Sequence, residues 1–234
     1  MIASLQLADV GRGRALTALR TRPDPGSVPG LRWAAPMLTA PLTRSIVIRP
    51  NRRRIGLLAF WDNEQALDAF LSSAAAASIP SGGWQVRLAP VRATGDWPGL
   101  TDEPVSGPID GPAVTVTLGR LRLSQTGRFL RASARAQGAA LDSPGLVWGT
   151  LLARPPLVAT CTVWQSAAAL AAYAYRTRGH AEAVTSHEQK PFHHRSAFIR
   201  FRPYGSTGDL DGRDPLTPAA HAGPAGPRPG PARR

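Results

Sequence analysis

Two stretches of the sequence, residues 55–70 and 158–173, carry the same pattern at a constant offset of 103 residues. In each stretch an apolar run typical of a β-strand ends at a tryptophan, Trp61 or Trp164, and a helical pattern that closes on another aromatic residue follows. A repeated strand–helix unit predicts two halves that fold in the same way. This internal repeat restricts the possible folds more than any other feature of the sequence.

Two further matches lie in the same order along the chain. Residues 87–96 and 200–209 agree at five of ten positions, namely at Arg, Pro, Thr, Gly and Asp. Residues 16–22 also resemble residues 116–122, with one threonine and two arginines in register. Because three matched segments in one order rarely arise by chance, we expect each half to contain the same series of elements.

The periodicity of apolar residues predicts strand, helix, strand, strand, helix, strand in each half. In the second half, residues 125–140 alternate apolar and arginine positions as an amphipathic helix does. The predicted strands are 14–21, 44–50, 55–61, 85–93, 113–122, 146–153, 157–164 and 195–203, and the predicted helices are 30–40, 63–75, 125–140 and 165–186.

This order of elements predicts an α+β protein built from tandem ferredoxin-like (βαββαβ) halves. Two such halves pack sheet to sheet as a dimeric α/β barrel within one chain, because each antiparallel sheet has one face that its helices leave uncovered. We expect the first half at residues 1–97, a linker at 98–112 and the second half at 113–205. The tail at 206–234 is rich in proline, glycine and alanine and is expected to be disordered.

The chain is strongly basic, with 28 Lys+Arg against 15 Asp+Glu and a formal net charge of +13. Such a balance is typical of proteins that bind nucleic acid, an anionic membrane surface or an acidic ligand. The positive charge is spread along the chain and Arg52–Arg54 is its only compact run, so nucleic acid is not the favoured partner. The sequence predicts a cytoplasmic protein without a transmembrane segment, and it leaves peripheral membrane contact and an oligomer open.

Cys161 is the only cysteine, which excludes an intrachain disulfide. It lies in an apolar run and is expected to be a buried structural thiol. The sequence contains no Cys-x-x-Cys pair, P-loop, His-Glu-x-x-His motif or glycine-rich dinucleotide fingerprint. Strong catalytic motifs therefore give no direct indication of the chemistry.

Polar residues that could converge on a cavity occur at the end of the last predicted helix. His180 follows Gly179, and a neutral imidazole facing the cavity could ligate a haem iron. Arg176 and Arg178 could pair with the haem propionates. A surface or capping histidine and solvated helix arginines are the alternative interpretation of the same residues.

A second polar segment, Phe192–Arg195, precedes the last predicted strand. His193 and His194 are adjacent, and neighbouring strand residues point to opposite faces, so we do not expect them to share a metal. Trp61 and Trp164 are interpreted first as aromatic residues of the core or of a cavity wall. In the functional interpretation, Trp61, Trp164 and Phe192 line a cavity for a large apolar ligand.

Several of these segments together resemble the spheroidene monooxygenase family of carotenoid-modifying enzymes, over most of residues 15–204. The resemblance rests on residues 57–62 with Ala66 and Phe70, on residues 84–97, on Thr162–Trp164, on residues 179–183, and on Phe192 with residues 198–201. It implies a haem-dependent oxygenase that introduces an oxo group into an acyclic carotenoid, with His180 as the axial ligand of the iron. It also implies an apolar substrate and an electron-donor protein.

Two other classes of function remain open from the sequence. One is a cofactor-free monooxygenase of the antibiotic-biosynthesis type, in which the substrate itself activates oxygen. The other is a non-catalytic barrel that binds a small apolar ligand or a partner chain. Fold class alone does not separate these functions.

Overall fold

A computed structural model describes residues 1–73, 83–100, 111–176 and 191–218. Within these ranges the chain forms eight β-strands and four α-helices. The strands are β1 (Ile2–Asp9), β2 (Leu31–Pro41), β3 (Asn51–Trp61), β4 (Trp84–Gly95), β5 (Ala113–Leu121), β6 (Leu146–Arg154), β7 (Leu157–Trp164) and β8 (His193–Thr207). The helices are α1 (Gly11–Arg20), α2 (Glu64–Leu71), α3 (Thr126–Leu141) and α4 (Ala167–Arg176), and α3 follows a short 3-10 turn at Leu123–Gln125.

The eight strands form one closed barrel in the order β1-β3-β2-β6-β7-β5-β8-β4, with every neighbouring pair antiparallel. Each half contributes a four-stranded sheet with the strand order of a βαββαβ unit, β4-β1-β3-β2 or β8-β5-β7-β6. The halves join at both edges, where β2 pairs with β6 and β4 pairs with β8. The predicted α+β fold of two ferredoxin-like halves in a dimeric α/β barrel is therefore confirmed.

The interior of the barrel is filled by apolar side chains from both halves. Residues that alternate along each strand point inward, and the resulting cluster includes Leu5, Met37, Phe60, Trp33, Val116, Cys161, Ile199 and Phe201. Each of these side chains is buried, as expected where a small barrel closes around its own core.

The chain after β4 and the chain after β8 close the barrel further. Leu100 packs against the interior cluster, as do Leu210 and Leu216. The indole Nε1 of Trp84 lies 2.8 Å from both the Ser206 hydroxyl and an Asp214 carboxylate oxygen. Residues 206–218 are therefore ordered, which corrects the predicted disorder for that part of the tail, because they bury leucines and satisfy a buried indole. Residues 219–234 and residues 101–110 of the predicted linker lie outside the described residues.

The sequence predicted the second half better than the first. Residues 14–20 of the predicted strand 14–21 belong to α1, and residues 31–40 of the predicted helix 30–40 belong to β2. Residues 44–50 lie in the loop between β2 and β3, and the first strand is β1. The prediction failed at β2 because alanine, methionine and leucine favour helices, whereas pairing with both β3 and β6 overrides this preference.

The true counterpart of the β2 sequence is the start of β6. The sequence Pro-Gly-Leu-x-Trp occurs at residues 29–33 and again at residues 144–148, and in both places a bulge separates the leucine from the tryptophan. The carbonyl oxygen of Gly30 accepts a hydrogen bond from the Asp62 amide (2.8 Å), and that of Gly145 accepts one from the Gln165 amide (2.9 Å). The match between residues 16–22 and 116–122 has no structural counterpart.

Both glycines of this motif let a helix pack directly on the chain. A Cβ atom placed on Gly30 would lie 2.4 Å from the Cβ of Ala66, and one on Gly145 would lie 2.3 Å from the Cβ of Ala169. The two alanines occupy equivalent positions in α2 and α4. The repeat therefore fixes the same close contact between helix and strand in each half.

We expect Gly145→Ala to lower the free energy of unfolding by about 1–3 kcal/mol, because α4 must move to admit the methyl group. Gly13→Ala is the matched control, since Gly13 lies in α1 with nothing within 4 Å of the added Cβ. This control should be neutral or stabilise by about 0.5–1 kcal/mol, because alanine favours a helix over glycine. Equal effects of the two variants on guanidinium unfolding would contradict the assigned contact.

We expect Cys161 to resist alkylation in the folded protein. The thiol points into the closed barrel, and burial raises its pKa to about 12, so the reactive thiolate is nearly absent at pH 8. Mass spectrometry after iodoacetamide treatment should find no label on the native protein and one label after unfolding in guanidinium. Rapid labelling of native protein would contradict the closed interior.

Candidate functional site

The two halves differ in how their helices cover the outer face of the sheet. In the first half α1 packs directly on β3, and the outward side chains Gln6 and Leu57 are buried beneath the helical layer. In the second half, α3 makes fewer close backbone contacts with the strands, although its residues Ala140 and Ala132 cluster with the sheet residues Trp164 and Leu121. The second half therefore leaves part of its outer face open.

The open part of the sheet is the exposed outer surface of β5, β7 and β8 beside α3, and we call this surface the α3 cleft. Thr117, Thr160 and Phe198 form its floor, because they lie side by side in the register of the three strands and point away from the barrel interior. Thr117 is exposed and the other two are partly exposed. The counterparts of Thr117 and Thr160 in the first half, Gln6 and Leu57, are buried, so the two halves differ in exposure at these two positions.

Arg200 lies at one end of the cleft. Thr115 is its neighbour on β5, and the Thr115 hydroxyl lies 2.7 Å from the Thr162 hydroxyl on β7. The indole Nε1 of Trp164 donates a hydrogen bond to the same Thr162 oxygen over 2.9 Å. The Nε atom of Arg200 is buried and has no hydrogen-bond partner within the described chain. A cation and a row of hydroxyl groups thus form the polar end of the cleft.

The opposite end of the cleft is aromatic. The His193 ring lies over Gly119, where a Cβ atom would come within 2.4 Å of the ring, so only glycine fits beneath it. Phe129 of α3 meets His193 edge to face at 5.2 Å between ring centroids and meets Phe192 at 6.1 Å. The guanidinium of Arg128 lies over the Phe192 ring at 5.2 Å.

Tyr173 connects α4 to α3 and so supports the far wall of the cleft. Its ring stacks on Trp164 at 4.7 Å, and its hydroxyl donates a hydrogen bond to the carbonyl oxygen of Ala136 over 3.1 Å. Burial raises the pKa of Tyr173 to about 12, so the hydroxyl stays protonated and keeps donating at neutral pH.

The aromatic residues predicted to line one cavity lie in three separate clusters. Trp61 is buried under α2 against Phe70 and donates a hydrogen bond to the Ser4 hydroxyl over 3.0 Å. Trp164 is buried under α4 in the equivalent place. Phe192 packs with Phe129 at the end of α3. The helices pack on these side chains outside the barrel interior. The two tryptophans are therefore core residues between helix and sheet, as in the first interpretation of the sequence.

Other predicted site residues fall where the structure gives no side chain. His180 and Arg178 lie outside the described residues, and Arg176 is the last residue of α4, with its side chain also outside them. Residues 1–73, 83–100, 111–176 and 191–218 contain no group of three or more His, Cys, Asp or Glu side chains that could hold a metal ion. His194 lies in a shallow surface pocket with Arg120, Pro155 and Pro156, away from the His193 ring.

Sequence analysis missed the floor of the cleft and Arg200 as site residues. Thr117 and Phe198 carry no motif, and the exposure that distinguishes them depends on the position of α3. The sequence does contain a signal for Arg200, which aligns with Arg87 in the repeat. The helix after Trp61 carries acidic residues, whereas the helix after Trp164 has alanines at the aligned positions.

No helix in the described part of the chain is long and apolar enough to cross a membrane. The search against family models found no match for the chain. Among solved structures, the chain resembles an aldoxime dehydratase in complex with butyraldoxime, with a TM-score of 0.50 at 8% identity, covering 92% of this chain and 83% of that one. A ferredoxin-fold protein from Listeria monocytogenes, related to antibiotic biosynthesis monooxygenases, gives a TM-score of 0.33 at 14% identity, covering 87% and 96%.

The sequence comparison is more specific than the structural one. The chain is 31% identical over 192 residues to the spheroidene monooxygenase of Rubrivivax gelatinosus, which covers 79% of this chain and 73% of that protein. The likeness extends through both halves of the barrel and agrees with the resemblance carried by the tryptophan segments. The chain therefore belongs to the spheroidene monooxygenase family and is a monooxygenase, an enzyme of the oxidoreductase class.

Proposed function

We propose that the protein is a haem-dependent monooxygenase that oxidises a long apolar substrate, an acyclic carotenoid, in the α3 cleft. The observation that carries this proposal is the exposed floor at Thr117 beneath α3, since the equivalent face of the first half is covered. The barrel interior is filled by side chains and offers no comparable space. The carotenoid substrate follows from the name of the Rubrivivax gelatinosus relative.

The residues of the cleft fit a haem. A haem needs a slot with apolar walls, a cation near its propionates and one axial ligand. Phe198 and Phe129 supply apolar and aromatic surface, and Arg200 supplies a buried Nε atom that has no hydrogen-bond partner in the described part of the chain. We assign the axial ligand to His180, which follows α4 in the sequence, and further propionate contacts to Arg176 and Arg178.

The bound haem would supply oxygen activation, which protein side chains cannot provide. The chain itself binds and orients the substrate on the floor of the cleft and excludes water with the aromatic end formed by Phe129 and Phe192. The hydroxyl groups of Thr117 and Thr160 offer hydrogen bonds at the middle of the floor, where they can orient an oxygen-bearing group.

A monooxygenase places one atom of dioxygen in its substrate and reduces the other to water, which requires two electrons and two protons. We infer that an electron-donor protein supplies the electrons, and the net charge of +13 favours an acidic donor. Ile46 and Val47 are exposed beside Arg49 and Arg52. This loop suits peripheral contact with an anionic membrane, from which a cytoplasmic enzyme could take a carotenoid.

We expect haemin to bind the purified protein at one per chain with a sharp Soret band, and His180→Ala to abolish that band because the axial ligand is lost. His194→Ala is the matched control, since His194 is exposed in a pocket outside the cleft, and it should retain the band. A His180→Ala protein with full haem content would contradict the ligand. Oxygen consumption by wild-type protein that binds no haemin would instead support the cofactor-free alternative.

We expect Thr117→Phe to weaken the binding of haemin or of the carotenoid by about tenfold or more, because the larger side chain fills the floor of the cleft. Thr207→Phe is the control, since Thr207 is an exposed strand residue beside Gln85 in the first half. Both variants should unfold within about 0.5 kcal/mol of the wild type, as exposed substitutions usually do. Unchanged binding in Thr117→Phe would place the site elsewhere.

A further inference from the structure

Arg87 and Arg200 occupy the same position in the two halves of the barrel. Arg87 pairs with Ser4 in the register of β4 and β1, and Arg200 pairs with Thr115 in the register of β8 and β5. Both arginines point to the outer face, because their strand neighbours belong to the interior cluster. Any difference between their surroundings therefore comes from the helices that cover them.

In the first half the helix supplies carboxylates. Arg87 donates from one terminal nitrogen to Glu64 over 2.5 Å and from the other to Asp68 over 2.6 Å, and both acids lie on α2. The pairing raises the pKa of Arg87, chiefly through the hydrogen bond with Asp68. The guanidinium at this position of the fold is thus able to hold two carboxylate groups at once.

In the second half, α4 supplies no carboxylate to Arg200. The tryptophan repeat aligns Glu64 with Ala167 and Asp68 with Ala171, so α4 presents two methyl groups where α2 presents two acids. The Nε atom of Arg200 is buried without a hydrogen-bond partner within the described chain. A buried donor left in this state costs free energy, which a ligand with a matching acceptor would recover.

We propose that Arg200 is the recognition site for a carboxylate of the ligand that occupies the α3 cleft. The expected ligand has an apolar body with a carboxylate at one end. The floor is formed by Thr117, Thr160 and Phe198, and Arg200 is the next residue after Phe198 on the same face of β8. Thr115 lies beside Arg200 at the pairing distance of neighbouring strands, which places a hydroxyl group close to the bound carboxylate. The location rests on the proposed function, and the carboxylate belongs either to a haem propionate or to the substrate.

Binding of matched acids and neutral analogues tests this assignment. The probes are haemin against its dimethyl ester, and palmitate against hexadecanol, each titrated into the full-length protein. Arg200→Gln removes the cation, and Ala171→Asp supplies to Arg200 the acid that Arg87 has in the first half. Arg87→Gln is the matched control, because it removes the same group from the covered half.

We expect Arg200→Gln and Ala171→Asp each to weaken the binding of the acid about tenfold or more, and to leave the ester or the alcohol unchanged. Arg87→Gln should lower the melting temperature and leave both affinities unchanged, whereas Arg200→Gln should lower it less, because the Nε atom of Arg200 has no hydrogen-bond partner among the described residues to lose. Ala171→Asp keeps the arginine and so gives the same test if Arg200→Gln folds poorly.

The result also identifies the source of the carboxylate. A loss confined to haemin identifies a propionate, and a loss confined to palmitate identifies a substrate acid. In the second case the inference stands even where haemin does not bind and the haem proposal fails. Equal affinity of the wild type for each acid and its neutral analogue, or acid binding unchanged in Arg200→Gln, would overturn the inference.

Discussion

Backbone pairing of β2 with β6 and of β4 with β8 joins two separate sheets into one barrel, and the remaining architecture depends on it. Closure removes all four sheet edges and turns one face of every strand toward a common interior. That interior is filled by apolar side chains from both halves. Because the core occupies the space inside the barrel, the ligand site that we propose lies outside it, on the outer face of the sheet.

The two halves use their outer faces differently although their strands are equivalent. In the first half α1 covers the sheet and α2 neutralises Arg87 with two carboxylates, so the centre of that face is buried and its arginine is paired. In the second half α3 makes fewer close contacts with the strands, Thr117 is exposed, and α4 carries alanines at the positions where α2 carries the two acids. One copy of the repeat contributes a covered scaffold, and the other keeps the same backbone with a cleft. A fold made of two equal units can place a site in one of them without disturbing barrel closure.

The sequence predicted the parts of this fold whose patterns are local. Each strand–Trp–helix segment has the predicted elements, and all four strands of the second half lie where the periodicity put them. The first half failed at β2, where residues on both faces are buried, Ala35 and Met37 in the barrel interior and Ala34 in the outer cluster, so the strand shows no period of two. The motif Pro-Gly-Leu-x-Trp at residues 29–33 and 144–148 would have corrected the order of elements. The cleft could not be predicted, because it depends on the distance of α3 from the sheet.

That distance is set by contacts from the other half of the chain. The amide of Thr43, in the loop after β2, donates a hydrogen bond to the Gln137 side chain on α3 over 2.9 Å. Arg44 of the same loop donates two hydrogen bonds of 2.8 and 2.9 Å to the Asp142 carboxylate. Hydrogen bonding to Arg44 is the main reason why the pKa of Asp142 is lowered.

These contacts span 94 and 98 residues of sequence, which is why no local pattern reveals them. The Arg44–Asp142 pair is exposed and screened by solvent, so it contributes little free energy to holding α3 in place. Gln137 is buried and satisfies a backbone amide that would otherwise lose its partner, so this bond is the stronger constraint. On its other side, α3 accepts a hydrogen bond from Tyr173 of α4 at the Ala136 carbonyl oxygen. The position of α3, and with it the exposure of the sheet beside it, is therefore fixed by contacts with the first-half loop and with α4.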